Sequence, residues 1–262
     1  MRNALRLGGV ASIAYAMCTA ANGVMVLFLD PTQMFTSSQP GGVARTGATG
    51  IASINIGTFG VTMLVGCITI IVMAIWWLAW LIATTRIAHQ AWPQIRPAAQ
   101  HLTIALWSCV ASFALMSCCG GIALALPRAV LVFALEFSCL LWTTLYLTVR
   151  FVTQLGVATE CSLPFASLVR TLAIVVLIAA ALQGIGALIF QPVVVPNMAA
   201  LMSGQGGIPQ IPPTPMALRI GTAIVQMLGA LAMLPLALAA WRVAKMIPAP
   251  VALIVPLVPP RA

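Results

Sequence analysis

The chain has 262 residues, of which 62% are hydrophobic and 6% charged, with a net charge of +9; soluble domains average roughly 45–50% apolar and about 25% charged. A water-soluble fold could not cover so apolar a core, so an all-α integral membrane protein is expected. The 12 basic residues stand singly and form no patch interleaved with aromatics, which argues against nucleic acid as a partner.

Uncharged apolar runs of spanning length, about 20 residues, recur six times, near 7–29, 60–84, 103–126, 129–149, 171–190 and 218–240. They predict six transmembrane helices in three hairpins, forming a single membrane domain. Arg2 and Arg6 open the first run as they would a signal peptide, but apolar character continues through Asn22 and Gly23 to Leu29, which is spanning length. Gly8, Ser12, Ala16 and Ala20 recur every fourth position and give a smooth ridge for close helix approach.

An outer loop at 30–49 follows, then an uncharged stretch from Thr46 to Thr85. As a continuous helix it would outreach a ~30 Å hydrocarbon layer, so it either projects outward or breaks at Gly57, Gly60 and Gly66. Trp76, Trp77 and Trp80 before Arg86, and Trp241 before Arg242, are placed as interfacial anchors. The inner loop 86–101 carries His89 and His101, so no histidine is predicted inside a span as a haem ligand.

Spans 3 and 4 are joined near Pro127-Arg128 and must be antiparallel neighbours. Span 4 contains Glu136, the one carboxylate inside a long apolar run, where an ionisable group marks a partner, a pathway or a proton site. Arg170 lies near the inner end of span 5. The outer loop 191–216 is dense in Pro and Gly, Arg219 lies near the outer end of span 6, and Pro235 predicts a kink within it. The tail 248–262 is apolar, but its prolines prevent it from spanning as a helix.

Orientation follows from charge. With the N-terminus inside, Arg2, Arg6, Arg86, Arg96, Arg150, Arg170, Arg242, Lys245 and Arg261 are inner, while Arg45, Arg128 and Arg219 are outer. Basic residues near span ends concentrate on the cytoplasmic side, so both termini are predicted cytoplasmic. The pattern suits a bacterial inner membrane, and an organelle or viral envelope membrane would show much the same one. Attraction to anionic inner-leaflet lipids follows from the same arrangement.

A parallel internal repeat is also predicted. The segment from Asn22 to Pro31 aligns with that from Gln183 to Pro192, and Ile56-Gly57-Thr58 aligns with Ile220-Gly221-Thr222, so that spans 1–2 recur as spans 5–6. Measured from the outer span ends, Asn22, Glu136, Gln183 and Gln226 fall in one layer, roughly 10–15 Å deep at ~1.5 Å per residue. The bland reading of the amides is interhelical hydrogen bonding, at about 0.6 kcal/mol each. Arg219 and Arg170 are the candidate ion-pair partners of Glu136, each a side-chain length or more away in depth.

Enzyme signatures are missing: one intramembrane acid is too few for an aspartyl protease, no serine–histidine pair lies within spans, and no phosphate-binding Gly-Lys-Ser/Thr loop occurs. No cofactor is expected. The seven cysteines contain no Cys-x-x-Cys and read as small buried hydrophobes, with vicinal Cys118-Cys119 the one redox or metal candidate. Two functions survive. The first is a non-catalytic subunit, scaffold or assembly component of a membrane complex, with other membrane proteins or further copies of itself as partners. The alternative is a small-solute or proton-linked transporter that uses the polar layer around Glu136.

Overall fold

The structure, a computed structural model, describes residues 2–28, 49–89, 94–118, 127–190 and 214–247. Both outer loops and the proline-rich tail therefore lie largely or wholly outside the described residues. Within them the fold is helical, with no strand: α1 Arg2–Phe28, α2 Thr49–His89, α3 Arg96–Cys118, α4 Pro127–Ala158, α5 Ala166–Phe190 and α6 Met216–Met246. All six are long and apolar enough to cross a bilayer. In hydrocarbon a backbone must satisfy its own donors and acceptors, and a helix does so within one segment. Buried hydroxyls follow the same rule: Ser12 donates to the Gly8 carbonyl at 2.8 Å, Thr19 to that of Tyr15 at 2.7 Å and Thr148 to that of Thr144 at 2.7 Å.

Most helices outrun the predicted spans, α1 starting at Arg2, α5 at Ala166 and α6 ending at Met246, and three further boundaries differ for physical reasons. α2 is one helix of 41 residues that runs through Gly57, Gly60 and Gly66. At ~1.5 Å per residue it is roughly 60 Å long, and only Leu64–Arg86 has the character of a span. α3 begins at Arg96, earlier than residue 103, which puts His101 on the helix. Its first turns are amphipathic, burying Ala98, Ala99 and Leu102 while Arg96, Gln100 and His101 stay exposed, so a search for uncharged runs passes over them. α4 continues past residue 149 for the same reason: Arg150 is exposed, but Phe151, Val152 and Leu155 are buried.

The helices form an up-and-down ring in which each packs on its chain neighbours, α1 closes on α6, and α6 also meets α4 across the middle. Antiparallel pairing is visible in individual contacts. Trp80 covers Gly8 between α2 and α1, Phe113 meets Phe137 between α3 and α4, and Leu135 covers Gly184 between α4 and α5. The ring therefore gathers Arg2, Arg6, Arg86, Arg96, Arg150, Arg170, Arg242 and Lys245 toward one end, while Arg128 and Arg219 lie toward the other.

The most extensive contact joins α1 to α6. Gly9, Ala16 and Gly23 on α1 and Ala223, Ala230 and Ala237 on α6 are all buried and recur every seven residues. A Cβ on Gly9 would come within 3.2 Å of the Ala237 carbonyl, and one on Gly23 within 3.4 Å of the Ala223 carbonyl. Without a hydrophobic drive between helices in lipid, such backbone approach gains its energy from dispersion.

The ridge of Gly8, Ser12 and Ala16 is buried as expected, but what fills it is aromatic. Trp76 donates from Nε1 to Ser12 Oγ at 2.9 Å and packs on Tyr15 at a centroid distance of 5.7 Å. Trp76 and Trp80 are 0% exposed and Trp77 is 6% exposed. These three indoles are core residues and not interfacial anchors, because the small residues of α1 leave space that their rings fill.

Candidate functional site

The four residues of the expected polar layer sit on four helices and are engaged in different ways. Asn22 Nδ2 donates to Thr69 Oγ1 at 2.9 Å, and that hydroxyl donates to the Val65 carbonyl at 2.8 Å. Gln183 Nε2 donates to Thr222 Oγ1 at 2.8 Å, and that hydroxyl donates to the Leu218 carbonyl at 2.9 Å. Each amide thus ties two helices together through a threonine whose own donor is already used. Gln226 is half-buried, with its Cβ against Gly23.

Glu136 is level with Gln183, since Leu135 packs on Gly184. Its side chain takes another direction. Val132, Glu136, Arg150 and Val157 are exposed on α4, whereas Leu145, Val149, Phe151 and Val152 are buried. At 3.6 residues per turn these four fall within one arc opposite the buried set, and exposed Ala134 near the start of α4 lies on the other side. The neighbours of Glu136 pack inward, Leu135 on Gly184 and Phe137 on Trp77 and Phe113. Glu136 therefore points away from the bundle, and half-buried Thr143 and Gln154 share its face with Arg150. Among the described side chains it is the one exposed charge in the half of the bundle away from the basic end. The outward positions of α5, by contrast, are Ile174, Ile178, Leu182, Ile185 and Ile189, the composition that lipid requires.

The candidate ion-pair partners have other positions. Arg219 donates from Nε to the Val26 carbonyl at 3.0 Å and from Nη2 to the Leu27 carbonyl. Its guanidinium thereby caps the last turn of α1, where unsatisfied carbonyls and the negative end of the helix dipole favour a cation. Arg170 is exposed in the second turn of α5, ~20 Å along that helix from Gly184 and hence from the level of Glu136. Among the described residues no ion pair joins Glu136 to either.

Five cysteines are described, Cys18, Cys67, Cys109, Cys139 and Cys161, all as free thiols. Of these Cys109 is wholly buried, 3.1 Å from Thr144 Oγ1. The side chain of Cys118 and all of Cys119 lie outside the described residues. No group of three or more metal-ligating side chains occurs among the described residues.

One feature of the structure was not read from the sequence. At the basic end, Arg6 and Val10 of α1 face Leu238, Trp241, Arg242 and Lys245 of α6 across an open cleft of about 460 Å³. The signal was available: three cations and a tryptophan at the matching ends of two helices whose small-residue heptads pair. No family model, curated protein or solved structure matches the chain.

Proposed function

We propose that the chain is a non-catalytic subunit or scaffold of a membrane complex, and that another membrane protein docks along the outward face of α4. The observation that carries this reading is the exposed position of Glu136. A carboxylate facing lipid at that depth costs about 2.5–3.5 kcal/mol on insertion scales, in a chain with only 3 acidic residues. A donor or cation on a neighbouring transmembrane helix offsets that cost. Thr143 and Arg150, at seven-residue intervals on the same face, extend the polar stripe such a helix would meet.

The orientation belongs to the same reading: the basic end is cytoplasmic, both termini lie there, and the membrane is a bacterial inner membrane. The duplication of α1–α2 as α5–α6 draws support from the amide–threonine bond in each hairpin. The register differs, since Asn22 bonds Thr69 while Thr58 is the residue aligned with Thr222. The transporter alternative keeps Glu136 as its acid, but the Asn22 and Gln183 amides already bond threonines between helices.

Native mass spectrometry of the protein extracted in mild detergent from its own host tests the proposal. A stoichiometric second membrane protein is expected, and Glu136→Leu should lose it while the bundle keeps its melting temperature. A wild-type protein that runs as a lone monomer overturns the proposal. Transport then takes its place, with abolished flux in Glu136→Gln liposomes as the expected signature.

A further inference from the structure

The basic cleft between α1 and α6 adjoins a second cavity of opposite character. Val149 and Val152 of α4, Phe165 and Val169 at the start of α5, and Pro235 and Ala239 of α6 line a narrow apolar chamber beside it. Leu238 and Arg242, one turn apart on α6, belong to both walls. The charged cleft and the greasy chamber are thus joined across a single rim at the basic end of the bundle.

The cleft is held open by its own packing. Trp241 Nε1 donates to the Arg6 carbonyl at 3.3 Å, which ties the first turns of α1 to the last turns of α6. The indole lies over Gly9, where a Cβ would come within 2.6 Å of Nε1. Arg6, Arg242 and Lys245 are exposed and form no ion pair among the described residues. Of the two described acids, Glu136 lies in the other half of the bundle and Glu160 toward this end, and neither pairs with the cleft cations.

We propose that this composite site holds one anionic phospholipid, its phosphate among Arg6, Arg242 and Lys245 and a short stretch of one acyl chain in the apolar chamber of about 50 Å³. No described acid neutralises the three cations, and the joined apolar space selects an amphiphile over a free anion. Basic pockets between helices at a cytoplasmic membrane face hold lipid head groups by this chemistry, and about 460 Å³ lies within the ~300–1,000 Å³ of small-ligand sites. The proposal rests on the membrane reading and is independent of any partner on α4.

The test uses the full chain, delipidated in non-ionic detergent and titrated separately with three probes under native mass spectrometry. These are phosphatidylglycerol, phosphatidylcholine with the same acyl chains, and glycerol 3-phosphate. Phosphatidylglycerol is expected to give a one-to-one adduct well ahead of both others. Arg6→Gln, Arg242→Gln and Lys245→Gln should each weaken it about fivefold, whereas Arg170→Gln, at the same end but outside the cleft, should leave it unchanged. Ala239→Phe should lower binding by filling the chamber while the melting temperature holds. Equal binding of the two lipids, equal binding of glycerol 3-phosphate, or an adduct indifferent to all three cleft variants overturns the proposal. Loss of the preference in Arg170→Gln as strongly as in Arg242→Gln also overturns it, because the attraction would then belong to the whole basic end. Glu136→Leu should not affect the adduct, which separates this result from the fate of the α4 partner.

Discussion

Glu160 is the one non-glycine residue with positive φ among the described residues, at 55°. It is the left-handed residue that ends α4. Cys161 N donates to the Gly156 carbonyl at 2.9 Å and Glu160 N to the Val157 carbonyl at 3.2 Å, the bond pair of a Schellman motif. Leu163 folds back over Gly156 to complete it. Because a side chain at this position is strained, Glu160→Gly is expected to stabilise the bundle by about 0.5–1 kcal/mol, read as a higher melting temperature in detergent. Two helical glycines should respond in opposite directions. A Cβ on Gly229 would stand 2.1 Å from the ring of Trp142, which is 3% exposed and cannot move aside, so Gly229→Ala should cost about 1–3 kcal/mol. A Cβ on Gly66 would meet nothing within 4 Å beyond its own helix backbone, and Gly66→Ala should gain up to ~1 kcal/mol of helix propensity.

At the scale of elements, apolar length alone carried the helix count, because a run that cannot be hydrated has few places to go. Orientation about each helix axis was harder to read. The four-residue ridge on α1 was legible because small residues stand out among Leu and Val, yet the heptad of Gly9, Ala16 and Gly23 was not, since it matters only opposite its alanine counterpart on α6. Glu136 shows the same limit: its place in the chain states its depth, whereas its direction depends on which faces of α4 are covered by α3, α5 and α6. The tryptophans near Arg86 read as anchors by position and proved to be core by packing. The role of Arg219 also needed the fold, because Val26 and Leu27 are remote in sequence. Removing it in Arg219→Met forfeits charge-assisted bonds of about 1.5–3 kcal/mol. Amide hydrogen exchange should then quicken in the last turn of α1 and remain slow around Gly9 to Ala16.

For the whole molecule, the outside resembles the inside of a soluble protein and the inside is rich in alanine. Exposed Ile, Leu and Val meet lipid, while Ala and Gly allow the backbones to approach. Against that surface the α4 stripe and the basic cleft at α1–α6 are two separate departures on different sides of the ring. One offers an acid at depth, and the other offers cations at an interface.

The pairing of α1 with α6 also bears on biosynthesis. The most extensive contact in the ring joins α1 to α6, which lie far apart in the chain, so α1 enters the membrane with its Gly9–Ala16–Gly23 groove unfilled until α6 follows. Five-sixths of the spans must therefore wait in the bilayer as an open arc, and long-range closure of this kind is slow and leaves incomplete surfaces exposed. During that interval the groove is open to any small-faced helix nearby. A variant lacking Met216–Met246 would leave the Gly9–Ala16–Gly23 groove uncovered, because Ala223, Ala230 and Ala237 are what fills it.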